Sequence, residues 1–332
     1  MKRAIFLSLL SLLLAVCLPA EPEPSPAFPV PTAAPPLETP EPAAAEAPPY
    51  PEPETITVLD GDTLREMALS DYLCGVVAAE MPAAFPLEAL KAQAVAARSY
   101  ALYCAGANKH GEAAVCTDFA CCQAFCSEET LRERWGDDYD SLSQKIRSAV
   151  EDTAGRVLCY NEQPVFAAFH SSSAGMTESC GAIWSPLPYL VSVSSPETAA
   201  DVPDFVSTVS CWPIDFRDTL LSAHPEADFS GPESAWLGAL RRDESGRVAE
   251  ATLGGAVFSG TELRALFSLR STAFTLQYEN GLFVFTVTGH GHGVGMSQYG
   301  AKVMAEQGAD FSEILAHYYP GAVLTGARQA LL

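Results

Sequence analysis

The chain has 332 residues, with 41 Asp and Glu against 19 Lys and Arg and a formal net charge of −22. That balance argues against nucleic acid or an anionic lipid surface as the partner and is easier to reconcile with an uncharged or weakly charged ligand. Once two N-terminal segments are set aside, about 280 residues remain, enough for one large domain or two small ones.

The first segment, residues 1–20, opens with Met1-Lys2-Arg3 and continues as an apolar run to Ala20, the layout of an export signal. A cleaved signal, a retained membrane anchor and a Cys17 lipidated after the loose Leu14-Ala15-Val16 signal are all compatible with it. Each places the remainder outside the cytoplasm, in the cell envelope or secreted. Residues 21–54 hold about half of the 25 prolines, many Ala and Glu, and no Lys or Arg. Such a stretch cannot bury a core and reads as an extended, disordered spacer. Residues 55–325 are expected to form the folded domain.

Within it, Ile56 to Leu59, Asp60-Gly61-Asp62 and Thr63 to Leu69 predict a hairpin. Ser70 is placed to cap a short helix that ends near Glu80, because Pro82 resists its continuation. Pro86 suits the first turn of a second helix, in which Leu87, Leu90, Ala94, Ala97 and Ala101 repeat at helical spacing. Ser141 to Val150 reads as another helix, and Arg156 to Tyr160 with Pro164 to Phe169 as a second hairpin. Further on, Val248 to Leu253 is strand-like and Thr261 to Phe267 helical, while Ala273 to Leu276 pairs with Leu282 to Val287. Hairpins and helices without regular βαβ spacing predict an α+β fold with mainly antiparallel sheets.

Three stretches carry candidate chemistry. Glu80 ends its helix, where the macrodipole disfavours negative charge, so its carboxyl tends to keep the proton a general acid needs. The plain alternative is an exposed helix-end Glu. His110, Cys116, Cys121 and Cys122 supply one imidazole and three thiols in a short loop, the ligand set of a closed, structural zinc site. Disulfides or free thiols are the competing reading. Beyond these and Cys17, the even number of remaining cysteines permits disulfides whose pairing the sequence does not supply. Finally, His170 with Ser171 to Ser173 offers either a nucleophile or, more mildly, a hydrogen-bonding surface for a hydroxylated ligand. The Gly-rich stretch from Gly289 to Gly300 reads as tight scaffold whose His290, His292 and Gln298 could face a cleft.

Taken together, Gly75-Val-Val-Ala-Ala-Glu-Met-Pro82, Glu88 to Arg98, Cys116-Thr-Asp, Cys122-Gln-Ala-Phe125, Phe169-His-Ser-Ser-Ser-Ala-Gly175, Gly291 to Ala301 and His317-Tyr-Tyr-Pro-Gly321 resemble, in order, the stage II sporulation protein D family with its LytB amidase-enhancer relatives. The resemblance implies a zinc-stabilised lytic transglycosylase that cuts between N-acetylmuramic acid and N-acetylglucosamine in denuded peptidoglycan strands, leaving 1,6-anhydro ends during engulfment in sporulation. It implies Glu80 as catalytic acid and a cell-wall amidase as partner. Gln93, Arg98, His170, Ser172, Ser173, His292 and Gln298 are the expected glycan contacts. Cys121 stands where the family usually has a second His, Ser99 where Thr is common and Ala174 where Gly is common. A non-catalytic, glycan-binding enhancer of an amidase is the alternative. A zinc amidase or peptidase is disfavoured by the missing His-Glu-x-x-His and the closed ligand set.

Overall fold

The computed structural model describes residues 50–325. The expected signal or anchor and the spacer up to residue 49 lie outside those residues. Among the described residues no helix is long and apolar enough to cross a membrane. The α+β expectation holds, with antiparallel pairing dominant.

Strands β1 (Thr55–Asp60) and β2 (Thr63–Ala68) form the first hairpin, closed at Asp60 opposite Thr63 with Gly61 at φ +60°. Helix α1 (Leu69–Glu80) follows β2 without a break, so its N-cap is Ala68. Ser70 lies inside the helix and caps nothing, contrary to expectation, because the strand already sets the direction of entry. Pro86 is the N-cap of α2 (Leu87–Ala107). The chain continues through β3 (Val115–Cys116), α3 (Glu128–Trp135) and α4 (Tyr139–Asp152), then β4 (Val157–Tyr160), β5 (Gln163–Pro164), β6 (Phe169–His170) and the single-turn α5 (Cys180–Ile183). Helix α2 is the axis of this first core. Ala89, Ala92, Ala94, Ala96, Ala97 and Ala101 are all sealed, so neighbours close on every side of the helix rather than on one stripe.

A second, separate core follows. It is built from β7 (Val206–Cys211), α6 (Pro213–Ala223), β8 (Leu237–Arg242), β9 (Val248–Leu253), β10 (Ala256–Ser259), α7 (Gly260–Leu266), β11 (Phe274–Glu279) and β12 (Leu282–Thr288). These strands make two antiparallel sheets, ordered β10-β9-β8 and β11-β12-β7. They enclose an aromatic centre in which Phe216 stacks on Phe283 with ring centroids 3.9 Å apart. The chain then returns through β13 (Met296–Ser297), α8 (Gln298–Glu306), α9 (Phe311–Tyr318) and β14 (Val323–Thr325). Helices α8 and α9 pack on α2, and β14 pairs with β4. The stretch expected as one domain thus carries two cores, the second inserted within the first.

The return seam is tight. Strand β13 pairs in parallel with β6, Met296 N donates to Ala168 O at 3.1 Å, and Gly295 sits at φ +72°. A Cβ on Gly295 would lie 1.9 Å from Ala168 O. Gly295→Ala is therefore expected to lower unfolding stability by about 3 kcal/mol, from left-handed backbone strain plus overpacking. Denaturant titration checks this, and an unchanged midpoint would mean the seam can open without cost.

Candidate active site

Glu80 is the last residue of α1, and its side chain opens into a cleft of about 360 Å³. Met81 and Pro82 line the cleft beside it, with Arg134 and Trp135 from the end of α3, Ser171, and Gln298 and Tyr299 at the start of α8. Among the described lining residues Glu80 is the sole acid and Arg134 the sole cation. Burial raises the Glu80 pKa above its ordinary value, and the Ala124 N–H and the Gln298 amide partly offset the rise. Glu80 Oε1 accepts from Ala124 N at 2.8 Å. The buried Gln298 Nε2 at the same cleft makes no hydrogen bond of ordinary geometry and so remains a spare donor beside Glu80.

The Ala124 donor is delivered by the Cys/His loop. Helix α2 ends at Asn108 in the left-handed conformation, and the chain then turns through His110. Strand β3 pairs with β1, which fixes Cys116, while Cys121 N and Cys122 N both donate to Asp118 O. The donor atoms of His110, Cys116, Cys121 and Cys122 all lie within 4.8 Å of one another. His110 Nε2 is 3.1 Å from Cys122 Sγ and 3.7 Å from Cys121 Sγ. Zinc at ordinary Zn–S and Zn–N distances would set tetrahedral donors about 3.5–3.8 Å apart, so these four residues could hold such an ion. Hydrogen bonding to the Cys104 thiol, with Cys116 and His110, lowers the Cys122 pKa against the opposing effect of burial. Cys104 is thus a polar neighbour of the cluster, which sequence reading left without a role.

Beyond Cys122 the loop runs back along α1. Gln123 Oε1 accepts from Tyr72 OH, Phe125 stacks on Tyr72, and Cys126 N donates to Gly75 O at 3.1 Å. A Cβ at Gly75 would stand 2.3 Å from the Phe125 ring, so the glycine lets this arm lie flat on the helix. The cluster, the arm and the Glu80 carboxylate form one mechanical unit.

Residues 60–160 match the family model described as stage II sporulation protein. The chain is 37% identical over 269 residues to stage II sporulation protein D of Bacillus amyloliquefaciens, covering 80% of this chain and 76% of that protein. It is 36% identical over 270 residues to the Bacillus subtilis protein of the same name, with the same shares covered. The chain belongs to the stage II sporulation protein D family. It is also 31% identical over 304 residues to the amidase enhancer of Bacillus subtilis, covering 76% of this chain and 40% of that longer protein. The part of the chain matched by the family model contains Glu80 and all four residues of the Cys/His cluster, whereas Gln298 reaches the cleft from well outside it.

Several residues expected to touch glycan in this family member lie elsewhere. Gln93 is fully buried in α2. Arg98 is 1% exposed, and its guanidinium donates to Thr153 O and Val150 O at the end of α4 while Nε lies 2.9 Å from Glu52 Oε2. It closes a helix C-terminus, where a cation is favourable, and ties down Glu52 of the stretch read as spacer. His170 is buried and kept neutral, its pKa pushed well down by burial. Its Nδ1–H donates to Val294 O at 3.2 Å and its Nε2 accepts from Ser173 Oγ at 2.6 Å. Ser172 and Ser173 are sealed as well, and neither lines the Glu80 cleft. Ser171, just before them in sequence, is the serine of this stretch that lines the cleft. His292 packs edge-on against Trp184 at 5.0 Å, and burial lowers its pKa to about 4. It does not line the Glu80 cleft.

Sequence reading missed Arg134, Trp135 and Tyr299 at the cleft, and Glu197 behind it. The buried Glu197 carboxylate accepts from Ser173 N and Ser195 Oγ, each at 2.6 Å, and from Ser297 Oγ, the N-cap of α8. It thereby holds the helix start that presents Gln298. The described cysteines are all free, so the disulfides that an even count permits are not formed among them.

Proposed function

We propose that this chain is an envelope-located lytic transglycosylase that cleaves the N-acetylmuramic acid–N-acetylglucosamine bond of denuded peptidoglycan strands, with Glu80 as single general acid and base. The observation that carries this reading is the lone carboxyl in the cleft. Hydrolytic glycosidases usually place a second carboxyl about 5–9.5 Å from the first, to act as nucleophile or to activate water. A lytic reaction needs none, because the sugar's own 6-hydroxyl attacks.

In the first step the Glu80 proton passes to the glycosidic oxygen and the bond from muramic C1 to that oxygen breaks. The Ala124 N–H and the spare Gln298 donor stabilise the carboxylate formed. The 6-hydroxyl oxygen then bonds to C1 and its proton returns to Glu80. No water is consumed, and the enzyme ends as it began. Family membership supports wall remodelling in sporulation, engulfment included, with a cell-wall amidase upstream to strip the peptides. The N-terminal segment would tether the protein to a membrane. In the same reading the Cys/His cluster holds a structural zinc, whose four protein ligands leave no position for substrate.

A second reading, a glycan-binding enhancer of an amidase that does not itself cut, is favoured by the identity with the amidase enhancer. Mass spectrometry of amidase-stripped sacculi treated with the pure protein separates the two. Soluble fragments ending in 1,6-anhydro-muramic acid are expected. Reducing ends alone, or strands bound but uncut, would favour the second reading.

A further inference from the structure

Arg134 stands out by its place. Lys109, Lys145, Arg156, Arg242 and Arg264 also make no ion pair among the described residues, but of these unpaired cations only Arg134 lines the Glu80 cleft. Two residues earlier on α3, Arg132 is fully engaged: its Nε donates to Glu128 at 3.0 Å and its guanidinium lies over the Tyr139 ring at 4.0 Å. Arg134, exposed at the end of the same helix, makes no ion pair among the described residues, and its one polar contact is Nη2 to Cys126 Sγ at 3.2 Å. It lines the Glu80 cleft beside Trp135.

We propose that Arg134 is the specificity determinant that binds a free carboxylate of the substrate next to the bond Glu80 breaks. This rests on the function proposed above. In a stripped strand the ionised group is the lactyl carboxylate on C3 of muramic acid, the sugar whose C1 is attacked. A guanidinium fork takes a carboxylate through two charge-assisted hydrogen bonds. Where a stem peptide remains, that carboxylate is an amide, neutral and bulkier, and the paired interaction is gone. The acidic surface of the protein repels a polyanionic strand in general, so the local cation supplies the attraction where it selects. Trp135 offers an apolar ring for a sugar face alongside.

The test compares stripped strands with the same strands after carbodiimide coupling to methylamine, which removes the charge with little added bulk. Wild type is expected to favour the free acid. Arg134→Ala should raise KM on free-acid strands by about tenfold or more, keep kcat within about twofold, and treat both substrates alike. Arg134→Lys should restore part of the preference, and thermal unfolding of each variant separates this from loss of the Cys126 contact. A parallel arm measures retention of both strand types by Glu80→Gln with and without Arg134→Ala. If Arg134→Ala cuts with unchanged KM and unchanged preference, the assignment of Arg134 is wrong while that of Glu80 stands. If wild type cuts nothing, the catalytic reading falls. The retention arm then judges Arg134 alone, with loss of the free-acid preference in the double variant supporting it and equal retention overturning it.

Discussion

Glu80→Gln is expected to lower anhydro-end formation on stripped strands by about 10³-fold, within the range for losing a general acid–base. In the proposed mechanism one carboxyl serves both proton transfers, so no second group can take over either half. The fold should survive, because a glutamine Oε1 can still accept the Ala124 N–H that now bonds Glu80 at 2.8 Å. Unchanged thermal unfolding would verify this. The pH dependence follows from the same group. Cleavage begins with the protonated acid, and burial raises the Glu80 pKa above 4.5. The rate constant kcat/KM should therefore be held at acid pH and decline as pH rises through that elevated pKa. A variant retaining more than about a tenth of the wild-type rate, or a profile that climbs with pH across this range, would remove Glu80 from the role of acid.

Removal of the proposed zinc is the second large effect expected. Purified protein is expected to carry one zinc per chain, and Cys122→Ser or exhaustive chelation to strip it. Four ligands from a single short loop order one another through the ion, so its loss should cost about 4–5 kcal/mol and lower the unfolding temperature by about 10–20 °C. Activity should fall as well, by about tenfold to a hundredfold, because Ala124 lies two residues beyond Cys122 and is the donor on Glu80. Cys104→Ser is the control: Cys104 adjoins Cys122 but stands outside the group of four, so that variant should keep its metal. A folded, active, metal-free protein would show that the loop is held by its backbone contacts alone.

The two effects converge on a division of labour in the fold. Strand β3 and the Asp118 turn shape the cluster, the arm from Gln123 to Cys126 carries its rigidity to α1, and Glu197 does the equivalent for Gln298 from the opposite side. The acid is thus held between two supports that belong to distant parts of the chain.

Local chemistry was enough to find much of this. Asp60-Gly61-Asp62 dictates a hairpin because glycine accepts a positive φ, Pro82 and Pro86 separate α1 from α2, and a His with three Cys in one loop marks a cluster that could hold a metal. The strand at Val248–Leu253 and the helix at Gly260–Leu266 were legible from periodicity for the same reason. Helix α3 was not, since Leu131 is its only buried residue and a polar surface helix leaves no apolar stripe to read. Yet α3 brings Arg134 and Trp135 to the cleft. Strand β7 was missed too, its pairing partner β12 being more than seventy residues further along the chain.

The residues by themselves determined the α+β class, the acid at a helix end and the Cys/His group that could hold a metal, because each depends on neighbours a few positions away. Only the tertiary structure decided which polar side chains line the Glu80 cleft. Gln93 and Arg98 sit on a helix enclosed on all sides and were sealed inside, while Arg134 and Gln298 were turned toward Glu80 by packing between segments far apart in sequence. Burial is a property of that packing, and no local pattern encodes it.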